Sequence, residues 1–130
     1  MKYLLDTHIW LWSMSEPRRL SRRVRNILQR PEHQIWLSPI SVWEALLLHA
    51  KHRIQLPAKL HDWLPAALAS FRQAPVTHAI VLAAHELPTN HPDPADRFLA
   101  ATAQVMDLTL ITSDQRLLEL DGVTLLANSI

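Results

Sequence analysis

Glycine is almost missing from this 130-residue chain: it occurs once, at Gly122, where average usage of about 7% would supply roughly nine. A single glycine cannot build a phosphate cradle. A P-loop, a GxGxxG dinucleotide turn and a GxSxG nucleophile elbow are therefore all excluded. Cysteine is absent altogether, which removes disulfides, thiolate zinc sites and a cysteine nucleophile. No run of about 18 apolar residues occurs, so no membrane span is expected. Asp6 and His8 interrupt the apolar N-terminal run, which does not read as a signal peptide. These absences point to a soluble, cytoplasmic chain.

What is present suits one folded domain over 1–130. The length matches the common domain size of about 100–150 residues, and 48% apolar residues supply a core. The net charge of +1 hides an uneven distribution. Residues 1–65 hold ten Lys/Arg against five Asp/Glu, a balance of +5, and residues 66–130 hold three against seven, a balance of −4. Six arginines fall between positions 18 and 30. Such asymmetry fits a basic face for a polyanion beside an acidic, cation-holding site, and fits an ordinary solvated helix face equally well.

Strands and helices alternate along the chain. Residues 2–5 form a short apolar strand ending at Asp6, and residues 8–13 open a helix that Pro17 ends or interrupts. Ser21 caps a helix over 22–30, in which Leu20, Val24, Ile27 and Leu28 make a buried stripe. A strand over 34–37 precedes Ser38-Pro39, an N-cap with proline at the first helical position, and a helix to about residue 50. A helix over 60–71 carries Pro65 as a kink or restart. A brief strand is placed at 75–76, and Thr77 caps a helix to residue 87. A loop over 88–92 precedes a helix over 94–106, rich in small residues. A strand over 108–112, a short helix over 114–120 and a last strand over 123–126 complete the chain. Strands separated by helices predict an α/β fold, a three-layer α/β/α sandwich with a mainly parallel central sheet. In such sheets ligands bind outside the carboxyl ends of the strands.

Five acids fall at that edge. Asp6 follows the first strand, Asp114 follows the 108–112 strand by two residues, Glu44 lies early in the helix after the second strand, and Asp93 and Asp96 flank a helix start. Gathered together they repel, raising their pKa values, unless a divalent cation compensates. Oxygen donors without cysteine suit Mg²⁺ or Mn²⁺, the equipment of phosphodiester hydrolysis. Each acid also has a structural explanation. Asp93 and Asp114 are good N-caps, Asp96 can favour the helix dipole, and Glu44 can form a capping box with Ser41. Asp6 is the hardest to explain this way, since a strand end has no special need for a carboxylate. It is the set that indicates a metal site.

Four segments carry a family resemblance: Leu-Leu-Asp-Thr-His at 4–8, Ser-Pro-Ile-Ser-Val-Trp-Glu at 38–44, Asp-Pro-Ala-Asp-Arg-Phe-Leu-Ala-Ala-Thr-Ala at 93–103 and Leu-Ile-Thr-Ser-Asp at 110–114. In this order and spacing they resemble a PIN domain, and more narrowly the VapC-type ribonuclease toxins of bacterial toxin–antitoxin pairs, over essentially the whole chain. The resemblance implies a Mg²⁺-dependent endoribonuclease with an acidic quartet at Asp6, Glu44, Asp96 and Asp114. Of these, Asp6, Asp96 and Asp114 are assigned to the metal, and Asp93 is an additional site acid. It also implies a homodimer, an RNA substrate and a small inhibiting antitoxin. Alternatives are a housekeeping RNA-processing nuclease without antitoxin and a non-catalytic RNA-binding or interaction module. The intact acid set argues against the last.

Other features carry less. Arg22, Arg23 and Arg25 lie off the apolar stripe of their helix and are candidates for RNA phosphates. The i, i+3 spacing of His49 and His52 would put both on one face of a continuing helix, but no third ligand is spaced to complete a zinc site. His8, two residues past Asp6, is a better candidate for lining the site. The five tryptophans are assigned to the core or a protein interface before base stacking.

Overall fold

The computed structural model describes residues 1–57, 59–88 and 93–130; most of the loop expected over 88–92 lies outside them. Its centre is a sheet of short strands, β1 (Lys2–Leu5), β2 (Gln34–Leu37), β3 (Arg72–Gln73), β4 (Thr109–Thr112) and β5 (Leu125–Ala127). They run in the order β3-β2-β1-β4-β5, and every neighbouring pair is parallel. Parallel strands need crossovers, and the helices that supply them cover both faces. These helices are α1 (Thr7–Ser15), α2 (Arg22–Gln29), α3 (Pro39–Ala50), α4 (Leu60–Leu68), α5 (His78–Glu86), α6 (Pro94–Met106) and α7 (Gln115–Leu118).

Strand alternation divides the core in two. Tyr3, Leu5, Ile35, Leu37 and Ile111 point to one face, where Ile9, Trp10, Val24 and Ile27 pack on them. Leu4 and Leu110 point to the other, meeting Ile80, Leu99, Ala100 and Leu117. The alanines of α6 let it approach the sheet and α5 closely. This is the three-layer α/β/α sandwich expected from the sequence.

Most helix starts follow their caps. Ser21 Oγ accepts from Val24 N–H at 3.1 Å, Ser38 Oγ from Ile40 N–H at 3.1 Å, and Thr77 Oγ1 from Ile80 N–H at 3.3 Å. Pro39 and Pro94 each open their helix, where a missing N–H costs nothing.

Three expectations shift. The strand placed at 75–76 is instead β3 at Arg72–Gln73. Ala74 N–H already closes on Leu37 C=O at 2.9 Å, and the ring nitrogen of Pro75 has no hydrogen to extend the ladder. The last strand runs over Leu125–Ala127 rather than 123–126, its register set by pairing with Leu110 to Thr112. Gly122 takes φ 79° in the turn before it, so the one glycine stands where a side chain would be strained. Pro65 lies within α4, which continues past it to Leu68, three residues short of the expected end.

Candidate active site

β2 and β3 lie to one side of β1, and β4 and β5 to the other, so the sheet's winding reverses between β1 and β4. The crevice outside their carboxyl ends is the ligand position characteristic of such sheets. Asp6 leaves β1 there and Asp114 follows β4. The second turn of α3 brings Glu44, and the first turn of α6 brings Asp93 and Asp96. All five line one open cleft of about 470 Å³, with Thr7, His8, Trp12, Arg19, Ser113 and Arg116.

Within the cleft the acids are not equivalent. One carboxylate oxygen from each of Asp6, Glu44 and Asp96 lies within 4.8 Å of the others. Asp6 and Asp96 are buried, at 8% and 7% exposure. Burial pushes the Asp6 carboxyl above its usual range, although donors from Thr112 and Thr7 and the nearby His8 pull the other way. Glu44 is raised by burial first, then by Asp6 and Asp93, against the Thr7 hydroxyl. Asp96 is pushed up to about 8 by burial, then by the charges of Asp6, Asp93, Glu44 and Asp114. Asp114 lines the cleft and acts on Asp6 and Asp96 through its charge, but stands outside the convergent three. From the sequence, Asp114 is assigned to the metal and Glu44 to the catalytic acids alone, whereas the closest convergence is of Asp6, Glu44 and Asp96.

Structural roles coexist with this convergence, and two differ from expectation. Asp6 is not idle at its strand end: it is the N-cap of α1, Oδ1 accepting from Thr7 N–H at 2.7 Å. Its Oδ2 accepts from Thr112 Oγ1 at 2.6 Å. Glu44 forms no capping box with Ser41, because Ser38 caps α3 and Ser41 lies inside the helix. Glu44 Oε1 instead accepts from Thr7 Oγ1. Asp93 and Asp114 cap α6 and α7 as expected, accepting from Ala95 N–H and Arg116 N–H, each at 2.9 Å.

Sequence reasoning missed the residues that hold the acids. Thr7 ties Glu44 to α1, and Thr112 joins Asp6 to Asp114, whose N–H donates to Thr112 Oγ1 at 3.0 Å. Buried Asn128 receives Ser21 N–H at 2.6 Å and donates to Arg19 C=O at 3.0 Å and Ser113 Oγ at 2.9 Å. The threonines stand beside motif acids and were legible in principle. Asn128 makes its side-chain bonds to residues more than a dozen positions away and carried no local signal.

The remaining candidates separate. His8 is exposed and lines the cleft. Arg22 and Arg23 line a different groove with Arg30 and His33, while Arg25 is exposed outside both. Arg19 and Arg116 are the cleft's arginines. His49 Nδ1 accepts from Leu56 N–H at 3.2 Å, a structural role. Trp10 is fully buried and Trp12, Trp36 and Trp63 pack against the two cores. Trp43 is 59% exposed.

Comparisons with known proteins agree with this fold. Residues 3–123 match the PIN domain family. Ribonuclease VapC22 of Mycobacterium tuberculosis is 34% identical over 115 residues, 88% of each chain. Among solved structures, VapBC2 from Rickettsia felis, bound to a promoter DNA fragment, superposes with a TM-score of 0.75 at 18% identity, covering 99% of this chain and 100% of that one. DNA-bound VapBC from Salmonella typhimurium gives 0.70 at 16% identity, with 99% of each chain covered. At such identities the structural likeness is one of fold; the family match and the 34% relative carry the assignment. The chain belongs to the PIN-domain family, among its VapC-type members.

Proposed function

We propose that this protein is a Mg²⁺-dependent endoribonuclease, the toxin of a toxin–antitoxin pair. The convergence of Asp6, Glu44 and Asp96 at the sheet's switch point carries this reading. The donors are all carboxylate oxygens, two of the three residues are buried, and burial first, then neighbouring acid charges, holds their pKa values up. Mg²⁺ or Mn²⁺ fits that donor set. Asp6, Glu44 and Asp96 would hold the ion, with Asp114 lining the same cleft. Held there, a divalent cation would supply the activation of water and the offset of charge on the scissile phosphate. Thr7 and Thr112 keep the carboxylates aimed into the cleft.

The relative's name supports ribonuclease activity, and the VapBC complexes among the structural neighbours support an antitoxin partner. Trp43 and Leu47, one turn apart on α3 and both exposed, offer apolar surface to such a partner or to a second copy in a homodimer. No described helix is long and apolar enough to cross a membrane, in keeping with a cytoplasmic site of action.

The purified protein is expected to cut looped RNA in Mg²⁺ or Mn²⁺ and to stop in EDTA. Asp6→Asn should lower cleavage at least about a hundred-fold, several kcal/mol of lost charge stabilisation. It should remain folded, because asparagine still caps α1 and the Thr112 hydroxyl can turn to accept from the new amide. Cleavage by Asp6→Asn at the wild-type rate would falsify the site. Expression should arrest growth in wild type and not in Asp6→Asn; relief of that arrest by a small protein encoded next to the chain tests the antitoxin.

Arg22, Arg23 and Arg25 provide a second phosphate-facing surface outside the cleft. Replacing all three with glutamine should weaken RNA binding and flatten the log K against log salt line by about 0.7–0.9 for each arginine–phosphate pair removed. An unchanged slope assigns this face to solvent or a protein partner.

A further inference from the structure

An RNA strand entering this cleft meets five carboxylates, and two arginines line the same space. Arg116 leans to the acid side, its Nε 3.8 Å from Asp114 Oδ1. Arg19 is held differently. Its guanidinium carbon sits 4.2 Å from the centroid of the Trp12 ring, an attraction to the π face that does not consume its N–H donors. Its ionic partner Glu16 is 3.6 Å away, with both side chains about half exposed, a pairing that yields readily to a better anion. The turn carrying Arg19 is also fixed: Asn128 binds Arg19 C=O and Ser21 N–H on one side and Ser113 Oγ, next to Asp114, on the other. The turn that carries Arg19 is thereby set at a fixed place relative to the acids, and stacking on Trp12 leaves the guanidinium donors to spare.

We infer that Arg19, seated on Trp12, grips an RNA phosphate beside the scissile one, and that Trp12 is its positioning residue. The inference rests on the nuclease reading above and names the interaction that draws a polyanion into an acidic cleft. A second role for the half-buried Trp12 as a base-stacking platform is disfavoured, because it packs against the core and Arg19 covers its ring.

The test uses a hairpin RNA that wild type cleaves. Arg19→Ala should raise KM about ten-fold, the effect of losing a charged hydrogen bond, with kcat within about two-fold of wild type. RNA affinity measured by anisotropy in the non-cleaving Asp6→Asn background should fall in step, and the salt slope should drop by about 0.7–0.9. Trp12→Leu should reproduce part of that loss and add nothing to Arg19→Ala, since it acts through the arginine. Lys51→Gln, an exposed cation outside the cleft, controls for net charge and should leave KM unchanged. Wild-type KM and salt slope in Arg19→Ala overturn the inference while leaving the nuclease reading intact. Full additivity of the two substitutions removes Trp12 from it. Failure of wild type to cleave or bind RNA brings down both readings together.

Discussion

Asp96→Asn is expected to melt at a higher temperature than wild type in EDTA at pH 8, and to cleave no RNA in Mg²⁺. Both effects come from one carboxylate. Asp96 is buried and faces Asp6, Asp93, Glu44 and Asp114, which together with burial raise its pKa to about 8. Holding it charged in the folded state therefore costs free energy that the unfolded chain does not bear. Asparagine keeps the shape and removes the charge. Against this gain stands the loss of a first-turn anion at the start of α6, roughly 0.3–1 kcal/mol. The net should still be a rise of several degrees, since about 1 kcal/mol moves a domain of this size by roughly 2–8 °C. Asp93→Asn is the matched comparison. Asparagine caps a helix about as well as aspartate, so its melting temperature should barely move, whereas Asp93→Ala should cost about 1 kcal/mol. Asp93→Asn should keep measurable cleavage. If it instead loses activity as completely as Asp96→Asn while its metal-free stability climbs, Asp93 belongs among the metal-holding residues. An Asp96→Asn protein that melts below wild type in EDTA would show that Asp96 is retained for the fold.

What the sequence disclosed and what it hid follow from the range of the interactions. Caps are local, so Ser21, Ser38, Thr77 and Asp93 could be read from neighbours a few positions away, and each caps its helix. Alternation of strands and helices likewise gave the layers, and the strand-end rule brought all five acids to one cleft. β3 was misplaced because its two residues, Arg72 and Gln73, are exposed and carry no apolar pattern; only pairing with Trp36 and Leu37 defines them. Asp6 looked purely functional because its capping role depends on where α1 begins, two positions past the strand. Glu44 entered the acid set but not the metal set, because its approach to Asp6 depends on the packing of α3 against α1, which spacing does not encode. The same limit hid Asn128 and the place of Arg19 in the cleft. An arginine's place in a cleft is decided by what its turn is tied to.

Metal-free protein should become less stable as the pH rises from about 5 to above 8, the reverse of the usual behaviour of paired carboxylates. The sign follows from the direction of the shifts. Asp96 binds its proton more tightly folded, with a pKa of about 8, than at its ordinary 3.8, and Asp6 and Glu44 are raised as well. Between those limits the native state holds more protons than the unfolded chain, so stability is fully present below about pH 4 and is lost as pH climbs through 8. Melting temperature in EDTA should therefore fall by several degrees across this window, and Asp96→Asn should flatten most of the fall. Saturating Mg²⁺ should invert the trend. The ion needs deprotonated carboxylates, so protons compete with it and its affinity rises with pH. The Mg²⁺-induced rise in melting temperature, which grows with ligand concentration over Kd, should be small at pH 5.5 and large at pH 8.5. Differential scanning fluorimetry at those two pH values, with EDTA or Mg²⁺ and in both wild type and Asp96→Asn, decides the matter. A metal-free melting temperature that rises with pH would overturn the raised pKa of Asp96, and a Mg²⁺ effect equal at both pH values would mean that the three converging carboxylates are not the groups that bind the ion.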